Sequence, residues 1–273
     1  MPYYPYQPGY GQAGIYHELQ YSEDCVLGKY ICQIFEVDRP HDCEICILPD
    51  GCNDILVHYD GKQVQSWLSP SIVKAMQFHF EQTEWLFGVR FYPGATSSFL
   101  PTDFSYQSPT PIALENLYPS IRYIKPALES SQSFARRHEI MYEFLKQTVL
   151  EQTPTDNIVD FCVKKIIENN GMIAIDELAQ AAGYGPRYIR QLFATYVGHS
   201  TKELAKIIRL QKTLQYIEQH PEEKLKDISA QFGFSDHSHM NKELRQFLGI
   251  TSGIIKDTTD WNALLKTEFK RTF

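Results

Sequence analysis

Two short runs of polar side chains carry the chemistry most legible in this 273-residue chain. In the first, Arg187, Arg190 and Gln191, with Ala194, fall opposite Ile189, Leu192 and Phe193 when the segment is wound as a helix. In the second, His237, Ser238, Asn241 and Lys242 fall opposite Met240 and Leu244. Arg and Lys match guanine edges or phosphate, Gln and Asn match adenine, and Ser or His can serve either. Such groups recognise a duplex; they break no bonds. The candidate base contacts are therefore Arg187, Arg190, Gln191, His237, Ser238, Asn241 and Lys242.

A second cluster offers different chemistry. Cys25, Cys32, Cys43, Cys46 and Cys52 crowd into one stretch with His41 nearby, and Cys43-x2-Cys46 has the spacing of half a zinc site or a thiol switch. In an extended strand, however, residues i and i+3 point to opposite faces, which opposes both uses. Reduced Cys is also common in apolar cores. A metal- or thiol-responsive sensor is carried as the alternative reading.

The elements that position the two polar runs repeat about 50 residues apart. Leu178-Ala179, Ala182-Gly183-Tyr184, Ile189, Phe193, Gly198 and Ser200 recur as Ile228-Ser229, Phe232-Gly233-Phe234, Met240, Leu244, Gly249 and Thr251. Each copy predicts a short helix, a glycine turn and a second helix, so one helix-turn-helix unit is used twice. Ile175, Leu178, Ala179 and Ala182 give the first helix an apolar face. Pro186 suits the first turn of the next, where its missing donor costs nothing. Between the copies, residues 201–219 hold Leu204, Ile207, Ile208, Leu214 and Ile217 at helical spacing. A helix of about 19 residues is roughly 28 Å long, close to the ~34 Å between successive major-groove faces.

This order resembles the DNA-binding domain of the AraC/XylS family of bacterial transcription regulators over roughly residues 157–256. The pieces that carry the resemblance are Leu178-Ala179-Gln180-Ala181-Ala182-Gly183, Tyr188-Ile189-Arg190-Gln191-Leu192-Phe193 with Gly198-His199-Ser200, and Arg209-Leu210. Gly233-Phe234-Ser235-Asp236-His237-Ser238-His239, followed by Leu244 and Gly249, is the most specific of them. Gly185, Leu244 and Ser252-Gly253 depart from the usual Ser, Phe and Ser-Pro, and none lies on the polar faces. The resemblance implies a promoter-binding regulator, an activator rather than a repressor, that contacts RNA polymerase, pairs as a homodimer and answers to a small-molecule effector.

Upstream the pattern is of strands. Residues 30–37, 44–48, 54–59, 64–68, 75–80 and 85–91 are rich in β-branched and aromatic residues and are separated by turns such as Pro49-Asp50-Gly51. The spacing fits a small antiparallel β-barrel or jelly roll. Ile47-Leu48-Pro49-Asp50-Gly51-Cys52 and Phe87-Gly88-Val89-Arg90-Phe91-Tyr92-Pro93-Gly94-Ala95 look like signatures of the cupin-like sensor domains of some AraC-type regulators. A small barrel can enclose one small molecule. Its candidate lining is Tyr59, Trp67, Phe78, Phe80, Trp85 and Phe91, with Arg90 or His79 as polar anchor. Catalytic cupins hold iron or manganese with a His-x-His pair on a strand. His58 and His79 stand singly, and the sole such pair, His237 and His239, lies in the second helix-turn-helix. A cupin enzyme fused to a DNA-binding module is the lesser alternative, and the expectation is no enzyme, no metal and no cofactor.

Composition bounds the rest. The chain is 43% apolar and 22% charged, with a net charge of −7, which opposes nucleic-acid binding until it is divided. Residues 1–155 hold 10 Lys and Arg against 18 Asp and Glu, whereas residues 156–256 hold 13 against 12. The acid therefore sits upstream, and the helical module is near neutral, so its non-specific affinity is modest. No apolar run is long enough for a bilayer and no signal peptide opens the chain, which points to a cytoplasmic protein with no membrane partner. The expected organisation is α+β: a cupin-like β domain over 1–125 and a helical linker over 126–155. The double helix-turn-helix follows over 156–256, with a tail over 257–273. In the linker, Ile140, Met141, Phe144, Leu145 and Val149 form a stripe that either pairs subunits or packs on the barrel.

Overall fold

A computed structural model of the chain describes residues 3–22, 24–81, 83–98, 110–150 and 157–256. The expected domain boundary between residues 155 and 156 and the tail at 257–273 lie outside the described residues. The upstream part is built of β1 (Ile15–Leu19), β2 (Ile31–Asp38), β3 (Cys43–Ile47), β4 (Asn53–Tyr59), β5 (Val64–Ser69), β6 (Met76–Phe80), β7 (Trp85–Phe91) and β8 (Ile112–Ala113). Helices α1 (Leu114–Leu117), α2 (Lys125–Glu129) and α3 (Phe134–Leu150) follow. Six strands match the expected ones within one or two residues. The signals for β1 and β8 are too polar or too short to read from pattern alone.

All pairings are antiparallel, and they form a six-stranded sheet, β1-β2-β7-β4-β5-β8, facing a two-stranded sheet, β3-β6. Side chains alternate across a strand, so register sorts them into layers. On one side of the large sheet Ile34, Ile55, Val57, Val64, Leu68, Phe87 and Val89 pack against Leu114, Leu128, Met141, Phe144 and Leu145 of the helices. On the other side Phe35, Val37, Leu56 and Leu86 meet Ile45 and Phe80 of the small sheet. Of the α3 stripe, Met141, Phe144 and Leu145 are buried on the sheet with Ile140 packed beside them, while Arg136, Glu139, Glu143 and Gln147 face outward; the side chain of Val149 lies outside the described residues.

Two buried ion pairs pin these layers. Arg137 of α3 forks onto Glu36 with Nε and Nη2 at 2.6 and 2.7 Å, under the ring of Trp85. Arg90 of β7 forks onto Asp54 of β4 at 2.9 and 2.6 Å, stacked by the rings of Tyr10 and Phe35.

The downstream part is all helical: α4 (Asn157–Glu168), α5 (Ile175–Ala182), α6 (Pro186–Tyr196), α7 (Thr201–Gln219), α8 (Leu225–Gln231), α9 (His237–Leu248) and α10 (Ser252–Lys256). The rod predicted over 201–219 is α7, capped by Ser200, whose Oγ accepts the N–H of Glu203. Its two sides serve two cores. Leu204, Ala205 and Ile208 pack with α4, α5 and α6, whereas Ile207, Leu210, Leu214 and Ile217 pack with α8 and α9.

Candidate functional site

Each helix-turn-helix is built by the same local rules. Gly183 and Gly233 adopt φ of +75° and +68°, the left-handed turn that ends α5 and follows α8. The small residues Ala179 and Ser229 are almost fully buried, which permits a close helix crossing. Helix α6 starts on Gly185 and Pro186 with no side-chain cap. Helix α9 is capped by Asp236, whose carboxylate accepts the N–H of His239 at 2.7 Å. That N–H holds the Asp236 carboxyl below its ordinary value. The quoted motif contained Asp236, and the capping role shows only once the helix start is placed.

On α6, Arg187, Arg190 and Gln191 are all exposed, opposite buried Ile189, Leu192 and Phe193. On α9, Ser238 and Lys242 are exposed. His237 and Asn241 differ from that pattern, being half-buried and occupied within the fold. Asn241 Oδ1 accepts both the N–H and the hydroxyl of Ser252 at 2.9 and 2.8 Å, and His237 Nε2 lies 2.8 Å from the same hydroxyl. The two side chains cap the start of α10 from across the module, a contact 11 to 15 residues away that helical spacing does not reveal. Spacing also missed an exposed aromatic pair, Tyr184 in the turn and Tyr188 on α6, with ring centroids 5.3 Å apart.

Between the two sheets lies a cavity of about 150 Å³. Of the expected lining, Trp67, Phe78 and Arg90 border it, whereas Tyr59, Phe80, Trp85 and Phe91 do not. The reason is the two-residue period. Tyr59, Trp85 and Phe91 stand on the helix-facing side of the sheet, in register with Val57, Phe87 and Val89, and Phe80 packs beside the cavity against Leu86 and Tyr10. His79 points outward to Asp42 at 3.4 Å, so it anchors nothing inside. The polar floor instead comprises Asp50, Asp54 and Arg90, and Asp50 and Asp54 are the residues that sequence reasoning missed. Asp54 stands in register with Arg90 across β4 and β7, a pairing that no local pattern reveals. Cys43 and Cys46 lie on opposite faces of β3, in separate cores, and burial pushes the Cys46 thiol up to about 12. All six cysteines are free thiols, and among the described residues no group of three His, Cys, Asp or Glu side chains is placed to hold a metal. No helix among the described residues is long and apolar enough to cross a membrane.

The cavity wall touches the helical module. The 69–76 segment lends Ser69, Pro70, Ile72 and Met76 to the cavity. Between them Ser71 shares a 2.7 Å hydrogen bond with His199, just after α6, and the N–H of Ala75 donates to the carbonyl of Phe247, on α9, at 2.8 Å. One loop therefore grips both helix-turn-helix units. The amino-terminal arm adds a second seam. Gln211 of α7 accepts the N–H of Tyr6 and donates to the carbonyl of Pro49, while Gln7 donates to Asp50.

Residues 178–254 match the family described as Helix-turn-helix domain, and residues 26–107 match Domain of unknown function (DUF6597). No curated protein matches the chain significantly. Among solved structures, ToxT from Vibrio cholerae aligns over 90% of this chain and 99% of its own, at 7% identity and a TM-score of 0.40. Its unsaturated-fatty-acid-bound form aligns over 89% and 94%, at 12% identity and a TM-score of 0.38. Likenesses this distant assign nothing to the present chain. The duplicated reading unit and the family match agree over the helical module: residues 178–254 form a helix-turn-helix domain of the AraC type, a DNA-binding module of transcription regulators.

Proposed function

We propose that the chain is an effector-controlled activator, in which α6 and α9 read successive major grooves and the cavity between the sheets sets how freely they do so. Arg187, Arg190 and Gln191 on α6, with Ser238 and Lys242 on α9, supply base and phosphate contacts. His237 and Asn241 hold the shape of the second unit. The observation that carries the control is the 69–76 loop, which lines the cavity on one side and bonds to residues 199 and 247 on the other. A molecule seated in the cavity displaces that loop and shifts the population between docked and released helical modules. Contact with RNA polymerase completes the activator reading. Pairing of two copies belongs to the same proposal, though the apolar stripe of α3 does not serve it.

Selection of bound sequences from a random duplex pool tests the reading of DNA, and two half-sites about one turn apart are expected. A pool that converges on no sequence would sink it. Variants Ser71→Ala and Leu56→Trp, one loosening the loop and one filling the cavity, test the control. Each is expected to change affinity for the selected duplex, and unchanged affinity in both removes the coupling.

A further inference from the structure

We propose that the cavity takes a small molecule with a benzene-sized apolar body and a single cationic amine, seated against Asp50; this rests on the effector reading above. Size comes first: an apolar cavity near 150 Å³ accommodates one benzene ring. Ile47, Leu56, Trp67 and Leu86 supply its walls.

Charge decides the polar end. Two carboxylates, Asp50 and Asp54, face one guanidinium, Arg90, and all three are buried. Arg90 spends Nε and Nη2 on Asp54, and its Nη1 stands 3.6 Å from Asp50, longer than a hydrogen bond. Asp50 is left with two donors, the N–H of Cys52 at 2.9 Å and Nε2 of Gln7 at 2.8 Å. Burial outweighs Arg90 and pushes the Asp50 carboxyl up, the sign of an under-compensated charge. An ammonium neutralises that excess and brings three donors. A carboxylate would add a third negative charge to a floor whose guanidinium is already engaged, at the cost that unpaired buried charge carries.

The test uses the full chain near neutral pH with benzylamine, toluene and benzoate, followed by calorimetry and by Trp67 fluorescence. Benzylamine is expected to bind about tenfold or more tightly than either of the others. Asp50→Asn is expected to abolish that margin; should this variant fail to fold, the ranking on the native chain decides alone. Benzoate or toluene binding as well as benzylamine overturns the amine assignment and leaves the cavity an effector site. Binding by none of the three also overturns it, and an unaltered DNA affinity in both Ser71→Ala and Leu56→Trp then removes the effector reading separately.

Discussion

The hydroxyl of Ser71, on the loop between β5 and β6, lies 2.7 Å from Nε2 of His199, on the turn that follows α6. The imidazole is buried, and its Nδ1 faces Glu203 of α7 at 3.5 Å. Burial lowers the His199 value more than Glu203 raises it, so the native seam holds the neutral ring. The unfolded chain binds the proton more readily than the native one. The stabilisation is therefore complete above the ordinary histidine range, near 6.5, and is lost as pH falls below it. Thermal unfolding between about pH 7.5 and about pH 5.5 should show a steeper loss for the native protein than for His199→Gln. One such group contributes no more than about 1.4 kcal/mol per pH unit. Equal slopes would show that His199 binds its proton as readily in the native chain as in the unfolded one, which overturns the neutral-ring seam.

Gly88 on β7 faces Phe35 on β2. A Cβ added at residue 88 would stand 2.2 Å from that ring, far inside contact distance. Gly88→Ala should cost about 1–3 kcal/mol or more, since the ring sits in a filled core beneath Arg90. Shrinking the partner is the control. Phe35→Leu should recover part of that loss in the double variant, as measured by urea unfolding, and an additive pair would disprove the clash.

The Glu36–Arg137 fork joins α3 to the sheet with both groups almost fully buried. Removing one partner leaves the other charge unpaired, so Arg137→Met should cost about 3–5 kcal/mol. Glu36→Leu combined with Arg137→Met should restore most of that stability. Chemical denaturation separates the two outcomes, because a double variant as weak as the single one means the stacking of the Arg137 guanidinium on Trp85 carries the effect.

How legible these features were follows the range of the forces that make them. The α7 rod and both turns were readable because helical period and a glycine at positive φ are local signals. Strand positions were readable for the same reason, but their faces were not used. Arg90 borders the cavity, so Trp85 and Phe91, each an odd number of residues away along β7, stand on the other face. Long-range commitments left no mark at all. Asn241 looks like an adenine reader until Ser252 is brought beside it. The α3 stripe, compatible with pairing or packing, needed the opposing sheet to decide.

The two readings of the polar faces separate at Arg190 and Asn241. Arg190 is exposed on α6, so Arg190→Ala should leave stability unchanged. It should cost about 1–3 kcal/mol of binding to the selected duplex and relax preference at one base pair. Asn241→Ala removes the acceptor of two hydrogen bonds from Ser252 and leaves a buried hydroxyl without it. The expected loss is about 1–3 kcal/mol of domain stability, with binding to all duplexes weakened alike. Competition binding against single-base variants, set beside thermal unfolding, distinguishes the cases. Uniform weakening by Arg190→Ala would make that residue a phosphate contact, and selective weakening by Asn241→Ala would place its amide on a base.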